Sequence, residues 1–306
     1  MGTLQSSLQG FDNEVYLTET VPEIFRDAQA GAARVVTAAG AELVTTIRTR
    51  TKRSLLTWLS QAPSMKIWEG ERHVKENSGN EFTISVNKYE LTLGIDMDDL
   101  DDAAEVDNFS EEVRSAGESA GQHPDELIWS FLRDQGETAI CYDGTPLIGT
   151  AHPLKDGSTF SNFTSGANPA WYLMDTAARA KGLIWQVRKD YTFQQLMAED
   201  SGNVDGFMRD RHLYGVKARV AVAPGNPARI FKSEAALDET NFEAAWTAMA
   251  SFKGDAGRPI AVRPTVLMVP NSLAFDAMKL INTTLVNGGD TNHLRGMVEV
   301  VVNPYL

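Results

Sequence analysis

Cysteine occurs once in this chain of 306 residues, at Cys141, which excludes an internal disulfide framework and suits a reducing compartment. No apolar run approaches the roughly 18 residues that a membrane span needs. The opening MGTLQSSLQGFDNE has neither the basic start nor the apolar stretch of a secretory leader, and its Met-Gly start with Ser6 meets only a loose myristoylation pattern. Basic residues are the minority, 28 against 41 acidic, for a formal charge of −13. A protein that grips DNA tightly needs a basic footprint to displace counterions. Here there is only a local cluster, Arg48, Arg50, Lys52 and Arg53, read either as a solvated segment or as a contact with nucleic acid or an acidic neighbour.

The signatures of chemistry are also missing. The sequence holds no zinc pattern, no phosphate-cradling glycine loop ending in Lys-Ser/Thr, no dinucleotide fingerprint and no Gly-x-Ser-x-Gly elbow. Its histidines, His73, His123, His152, His212 and His293, are scattered, with no two at a ligand spacing. Cys141 and His152 resemble a nucleophile and base, but nothing in the sequence orients the pair or lowers the thiol pKa, so a packed, inert thiol is expected. No catalytic residue and no cofactor site is read. The cation candidate is Asp96, Asp98 and Asp99, within a run that adds Asp101 and Asp102. It fails the calcium-loop pattern, because Leu100 stands at the third ligand position and no glycine follows. An acidic connector leading to a helix start, where negative charge is favoured, is the plainer reading.

What is present is ordinary globular patterning. Residues 22–48 are rich in alanine, with Ile24, Phe25, Ala28, Ala32, Val35, Val36, Ala39, Leu43 and Ile47 near helical spacing. Pro22 suits a first turn, while Gly31 and Gly40 make an arm that is helical in parts. A hairpin is expected next, with Ile67–Lys75 as one strand and Glu76–Glu81 as the turn. The return alternates as Phe82, Ile84, Val86 and then Tyr89, Leu91, Leu93, Ile95. The phase slips at Asn87-Lys88, which requires a bulge or a second turn. Residues 108–136 read as helix, with Asn108 and Glu111 as a capping box and an interruption at His123-Pro124-Asp125-Glu126 that predicts two abutting helices or one kinked one. Further strands are expected at Leu183–Val187, Leu213–Ala223, Val266–Val269 and Met297–Val302, and helices at Asn241–Phe252 and Asn271–Leu285. This non-alternating order indicates an α+β fold. Trp58 and Trp68 flank a Pro-containing loop before the hairpin, as either core or interface residues.

Several blocks together carry a resemblance. They begin with Trp58-Leu59-Ser60-Gln61-Ala62-Pro63, Ile67-Trp68-Glu69-Gly70-Glu71-Arg72 and Tyr89-Glu90-Leu91-Thr92-Leu93-Gly94-Ile95-Asp96. They continue with His123-Pro124-Asp125-Glu126-Leu127, Cys141-Tyr142-Asp143-Gly144 and Thr150-Ala151-His152-Pro153. Trp171-Tyr172-Leu173-Met174-Asp175, Ser251-Phe252-Lys253-Gly254 and Val302-Asn303-Pro304-Tyr305-Leu306 follow. In this order, from about residue 55 to the C-terminus, the sequence resembles the Mu-like major head subunit family, gpT. Pro224–Pro227 departs from the aromatic-rich strand expected of that family there.

The resemblance implies the tailed-phage capsid architecture called the Hong Kong 97-like fold. Residues 1–57 would form an N-terminal arm, 58–102 an extended loop, 103–240 a peripheral domain with a spine helix at 108–136, and 241–306 axial-domain elements with the C-terminal return. It implies a major capsid protein, not an enzyme, that assembles with itself into hexamers and pentamers of an icosahedral shell. A scaffold protein, a portal and a decoration protein would be partners, with double-stranded DNA enclosed without sequence-specific binding. The place would be the virion, after assembly in the bacterial host cytoplasm. The acidic balance fits a container that does not adhere to its DNA. Assembly contacts would fall on Trp58, Trp68, Glu71 and Arg72. A compartment shell of the encapsulin type and a soluble acidic enzyme are the alternatives.

Overall fold

Pro22 lacks a donor that the first turn of a helix would leave unpaired anyway. It stands accordingly in the first turn of helix α1, Val21–Gly31. The structure is a computed structural model and describes residues 13–32, 34–36, 42–51, 53–56, 82–154, 156–197, 208–254, 257–286 and 290–306. Within it the chain forms two units, neither of them a single stretch. The first comprises Met1–Arg34, Asn87–Pro124 and Lys189–Val220, and the second Val35–Val86, Asp125–Arg188 and Ala221–Leu306.

In the first unit a π-helical turn, Tyr16–Thr20, precedes α1. Tyr16, Leu17, Val21 and Phe25 are buried together with Val106, Phe109, Val113, Ala116 and Ala120. The latter five form one stripe on helix α2, Ala103–Gln135, a rod of roughly 50 Å at 1.5 Å per residue. The helix starts ahead of the expected Asn108, because the Asp102 carboxylate accepts the Ala104 N–H at 2.9 Å and caps it there. The two helices touch at glycine. A Cβ on Gly117 would lie 2.6 Å from the Phe25 carbonyl oxygen, and one on Gly121 would lie 2.5 Å from the Ala32 Cβ. The Tyr16 hydroxyl donates to the Val106 carbonyl at 3.1 Å, and the Tyr214 hydroxyl to that of Leu17, also at 3.1 Å. Strand Asn87–Asp96 pairs antiparallel with Arg211–Val220. Its Tyr89, Leu91, Leu93 and Ile95 alternate with exposed neighbours, as their spacing predicts.

The arm expected to be helical in parts is helical over Val21–Gly31 and not to residue 48. After Gly31 the chain turns extended at Ala32, and the β-branched run Thr45-Thr46-Ile47 opens a strand that pairs parallel with Ile184–Val187. Nor do Phe82 to Ile95 form one returning strand. Phe82–Ser85 pairs with Arg53–Leu56, and the second strand begins at Asn87 with a different partner. The break at Val86 absorbs the phase slip. The expected partner strand Ile67–Lys75 and its turn lie outside the described residues. Pro124, by contrast, breaks nothing, since α2 runs through it.

The second unit is built on a five-stranded sheet, ordered Glu299–Val302, Val266–Val269, Trp171–Met174, Ile230–Ser233, Phe163–Thr164. Three of these strands are buried at every position, as expected of a sheet covered on both faces. Helix α3, Glu239–Ala250, is capped by Asp238, whose carboxylate accepts the Asn241 N–H at 2.8 Å. Helix α4, Ala274–Asn282, follows a short 3-10 turn. Phe242 and Met249 of α3 and Ala277 and Ile281 of α4 pack with Trp171, Leu173, Phe231 and Leu267.

A buried polar knot organises residues 141–164 of this unit. His152 and Asn162 are both 0% exposed. The Asn162 amide nitrogen donates to the Leu147 and Pro227 carbonyls at 2.8 and 2.9 Å. That leaves its oxygen to accept from the Gly149 N–H at 2.8 Å and to face His152 Nε2 at 3.1 Å. His152 Nδ1 lies 2.8 Å from the Asp143 carboxylate. Burial pushes the Asp143 carboxyl upward, but the hydrogen bonds from His152 and Thr145 outweigh it and hold its pKa below the ordinary value.

Two predictions follow from this packing. Gly117→Ala must displace α1 and should destabilise the subunit by about 1–3 kcal/mol. Gly31→Ala, where nothing lies within 4 Å of the new atom, should be close to neutral; equal melting temperatures for the two variants would refute the tight helix contact. For Asp143, a lowered folded-state pKa means that its contribution is complete above the unfolded value of about 4 and lost as pH falls through the folded one. Asp143→Asn should therefore be less stable than the parent at pH 7, with the gap closing below about pH 4 in urea titrations across that range.

Candidate functional site

The residues on which the sequence places assembly contacts, Trp58, Trp68, Glu71 and Arg72, lie outside the described residues. Asp96, Asp98 and Asp99 are described and do not converge on a common point. Asp96 ends its strand, accepts the Asp98 N–H at 3.3 Å and faces Arg211 at 3.7 Å. Asp98–Asp101 forms a 3-10 turn that leads into the Asp102 cap. This is the acidic connector before a helix. Among the described residues, the one set of His, Cys, Asp and Glu whose ligand atoms come together is Glu239, Glu243 and His293.

Cys141 and His152 both lie inside the fold. The thiol is buried, and desolvation, with the Asp143 charge added, pushes its pKa far up. His152 Nδ1 lies 2.8 Å from the Asp143 carboxylate and 2.9 Å from Thr145 Oγ1, and Nε2 lies 3.1 Å from the Asn162 amide oxygen, so both ring nitrogens are engaged within the fold. The orienting third group absent from the sequence reading is Asp143, and it serves structure.

Two further charged groups are structural in the same way. Lys232 contacts Glu137 and lies 2.7 Å from Glu234. Burial would lower its pKa, and the two carboxylates raise it instead. Tyr172 nearby is pushed up to about 12, chiefly by burial. Asp175 pairs with Arg229 and accepts the Arg263 N–H at 3.2 Å.

The surface carries what the interior does not need. Phe275 is 85% exposed and Met278 45% on α4, and Met208, Leu285 and Ile140 are also bare. Phe275 and Met278 are three residues apart and share a face, while Ala277 and Ile281 take the inward one. The signal was legible, since Ala274, Phe275, Ala277, Met278, Leu280 and Ile281 are too many apolar residues for one stripe. Exposed apolar side chains of this size mark surfaces that bind other molecules when they cluster. No described helix is long and apolar enough to cross a membrane.

The chain matches known proteins along nearly its whole length. It is 31% identical to the major capsid protein of Escherichia phage Mu over 278 residues, covering 85% of this chain and 88% of that one. To the Mu-like prophage FluMu major head subunit of Haemophilus influenzae it is also 31% identical, over 92% of this chain and 94% of the relative. Among solved structures, the subunit of the bacteriophage JBD30 procapsid superposes with a TM-score of 0.80 at 29% identity. That match covers 97% of this chain and all of the other. The JBD30 capsid gives 0.74 at 25% identity, over 86% and 89% of the two chains. The fold is thus the Hong Kong 97-like capsid fold, an α+β architecture. With residues 16–306 matching the model of the Mu-like prophage major head subunit gpT, the chain belongs to that family of phage head proteins.

Proposed function

We propose that this chain is the repeating subunit of a closed phage head, self-assembling into hexamers and pentamers of an icosahedral shell around double-stranded DNA. The observation that carries this reading is the end-to-end likeness to a procapsid subunit, with a TM-score of 0.80. Assembly is the work, and the protein is not an enzyme. The buried thiol and the fully engaged His152 support that part of the reading. Scaffold, portal and decoration proteins are its partners, with assembly in the host cytoplasm and residence in the virion. In this scheme residues 1–57 are the arm, 58–102 the extended loop, 103–240 the peripheral domain with α2 as its spine, and 241–306 the axial elements and return.

A shell of identical subunits uses heterologous contacts repeated around local rotation axes. Each exposed ion pair contributes only about 0–1 kcal/mol, so apolar anchors carry the stability, multiplied over many contacts. Trp68 is the anchor assigned to the extended loop, with Trp58 beside it and Glu71 and Arg72 as charged contacts. Negative-stain electron microscopy of the chain, expressed alone and with a scaffold gene, should show closed uniform particles, capsomer rings or tubes. Only monomers and dimers under both conditions would refute the assembly reading. Trp68→Ala should impair shell formation more than Glu71→Ala, and normal particles from the tryptophan variant would remove Trp68 as an anchor.

A further inference from the structure

Glu239 and Glu243 are four residues apart on α3, so their side chains share one face of that helix. A third group reaches the same face from a distant segment. His293 Nε2 lies 2.5 Å from a Glu243 carboxylate oxygen, and Nδ1 lies 3.6 Å from a Glu239 oxygen. One ligand atom from each of the three residues falls within 4.8 Å of the other two. All three side chains are about half exposed, so an ion reaches them directly from solvent.

The imidazole stands where it does for reasons unrelated to the glutamates. Its neighbours on both sides are buried anchors. The Asn292 amide donates to the Leu280 and Thr283 carbonyls at 2.8 and 3.0 Å, and Leu294 is inserted into the core. His293 thus projects from a fixed backbone onto α3. The set combines two carboxylates and one imidazole drawn from two separate elements.

From this geometry we infer that Glu239, Glu243 and His293 form a binding site for a divalent transition-metal ion of the zinc class. A nitrogen donor with two carboxylates suits such ions, whereas calcium and magnesium take oxygen ligands. The metal takes the place of the proton shared between His293 Nε2 and Glu243, and that proton leaves to solvent. Three protein ligands leave the remaining coordination positions to water. Bound metal joins α3 to the segment around His293, so it stabilises the folded subunit by linkage. This inference is independent of the assembly reading.

The test is isothermal titration of the full-length chain with zinc chloride after chelator treatment, alongside thermal melting. The expected result is one zinc ion per chain and a raised melting temperature. Both should be lost in His293→Ala, and Glu243→Gln should weaken binding by more than tenfold. Because these side chains are exposed, both variants should melt within a few degrees of the parent without metal. Asp98→Asn should bind zinc like the parent, and calcium should bring neither heat nor a melting shift that depends on His293. Failure of the parent to take up zinc at millimolar concentration would overturn the inference. Unchanged zinc uptake by His293→Ala would overturn it as well.

Discussion

One carboxylate, that of Asp125, holds three N–H groups at once. It accepts from the backbone of Val35 and Val36 at 2.9 and 2.7 Å and from the Trp129 indole at 2.8 Å. Burying a charge to 1% exposure is expensive unless donors replace the lost water, and here they do. The placement matters because Asp125 follows Pro124, where α2 lacks the N–H that would bond the Ala120 carbonyl. A proline that would weaken an isolated helix is tolerated where the next residue is fixed by tertiary contacts. Val35 and Val36 are thereby bound to α2.

The local pattern was legible where one physical rule dominated. Val266–Val269 reads as strand because a continuous apolar run fits a sheet covered on both faces, and the structure gives those same bounds. Tyr89, Leu91, Leu93 and Ile95 alternate because their strand has one covered face. The misreadings share a cause, which is distance along the chain. Thr45–Arg48 looks like the tail of an alanine-rich helix until Ile184–Val187 arrives as its partner. Asn108 and Glu111 imitate a cap, yet Asp102 already satisfies the helix start. Of the site residues, Cys141 is buried, as a packed thiol would be. The role of Asp143 was not legible, because it depends on a turn that brings His152 onto it.

A head protein needs a rigid body and surfaces that bind copies of itself, and the side chains divide along that line. Its polar groups of catalytic type, Cys141, His152, Lys232 and Tyr172, are buried or paired within the fold. The groups left at the surface are apolar side chains such as Phe275 and Met278, and charged ones in acidic excess.

The glycine contact between α1 and α2 has a consequence for how such a sequence can drift. Gly117 and Gly121 face Ala28 and Ala32, with Cβ approaches that no larger residue at either glycine could keep. A substitution at one of these positions is a volume exchanged across a helix pair, so the four sites are not free to vary singly. Among relatives that keep this packing, added bulk on α2 should travel with a wider separation of the helices or a displaced α1. Small residues at 28, 32, 117 and 121 would then form a covarying set, visible in sequences as a shared ceiling on side-chain size.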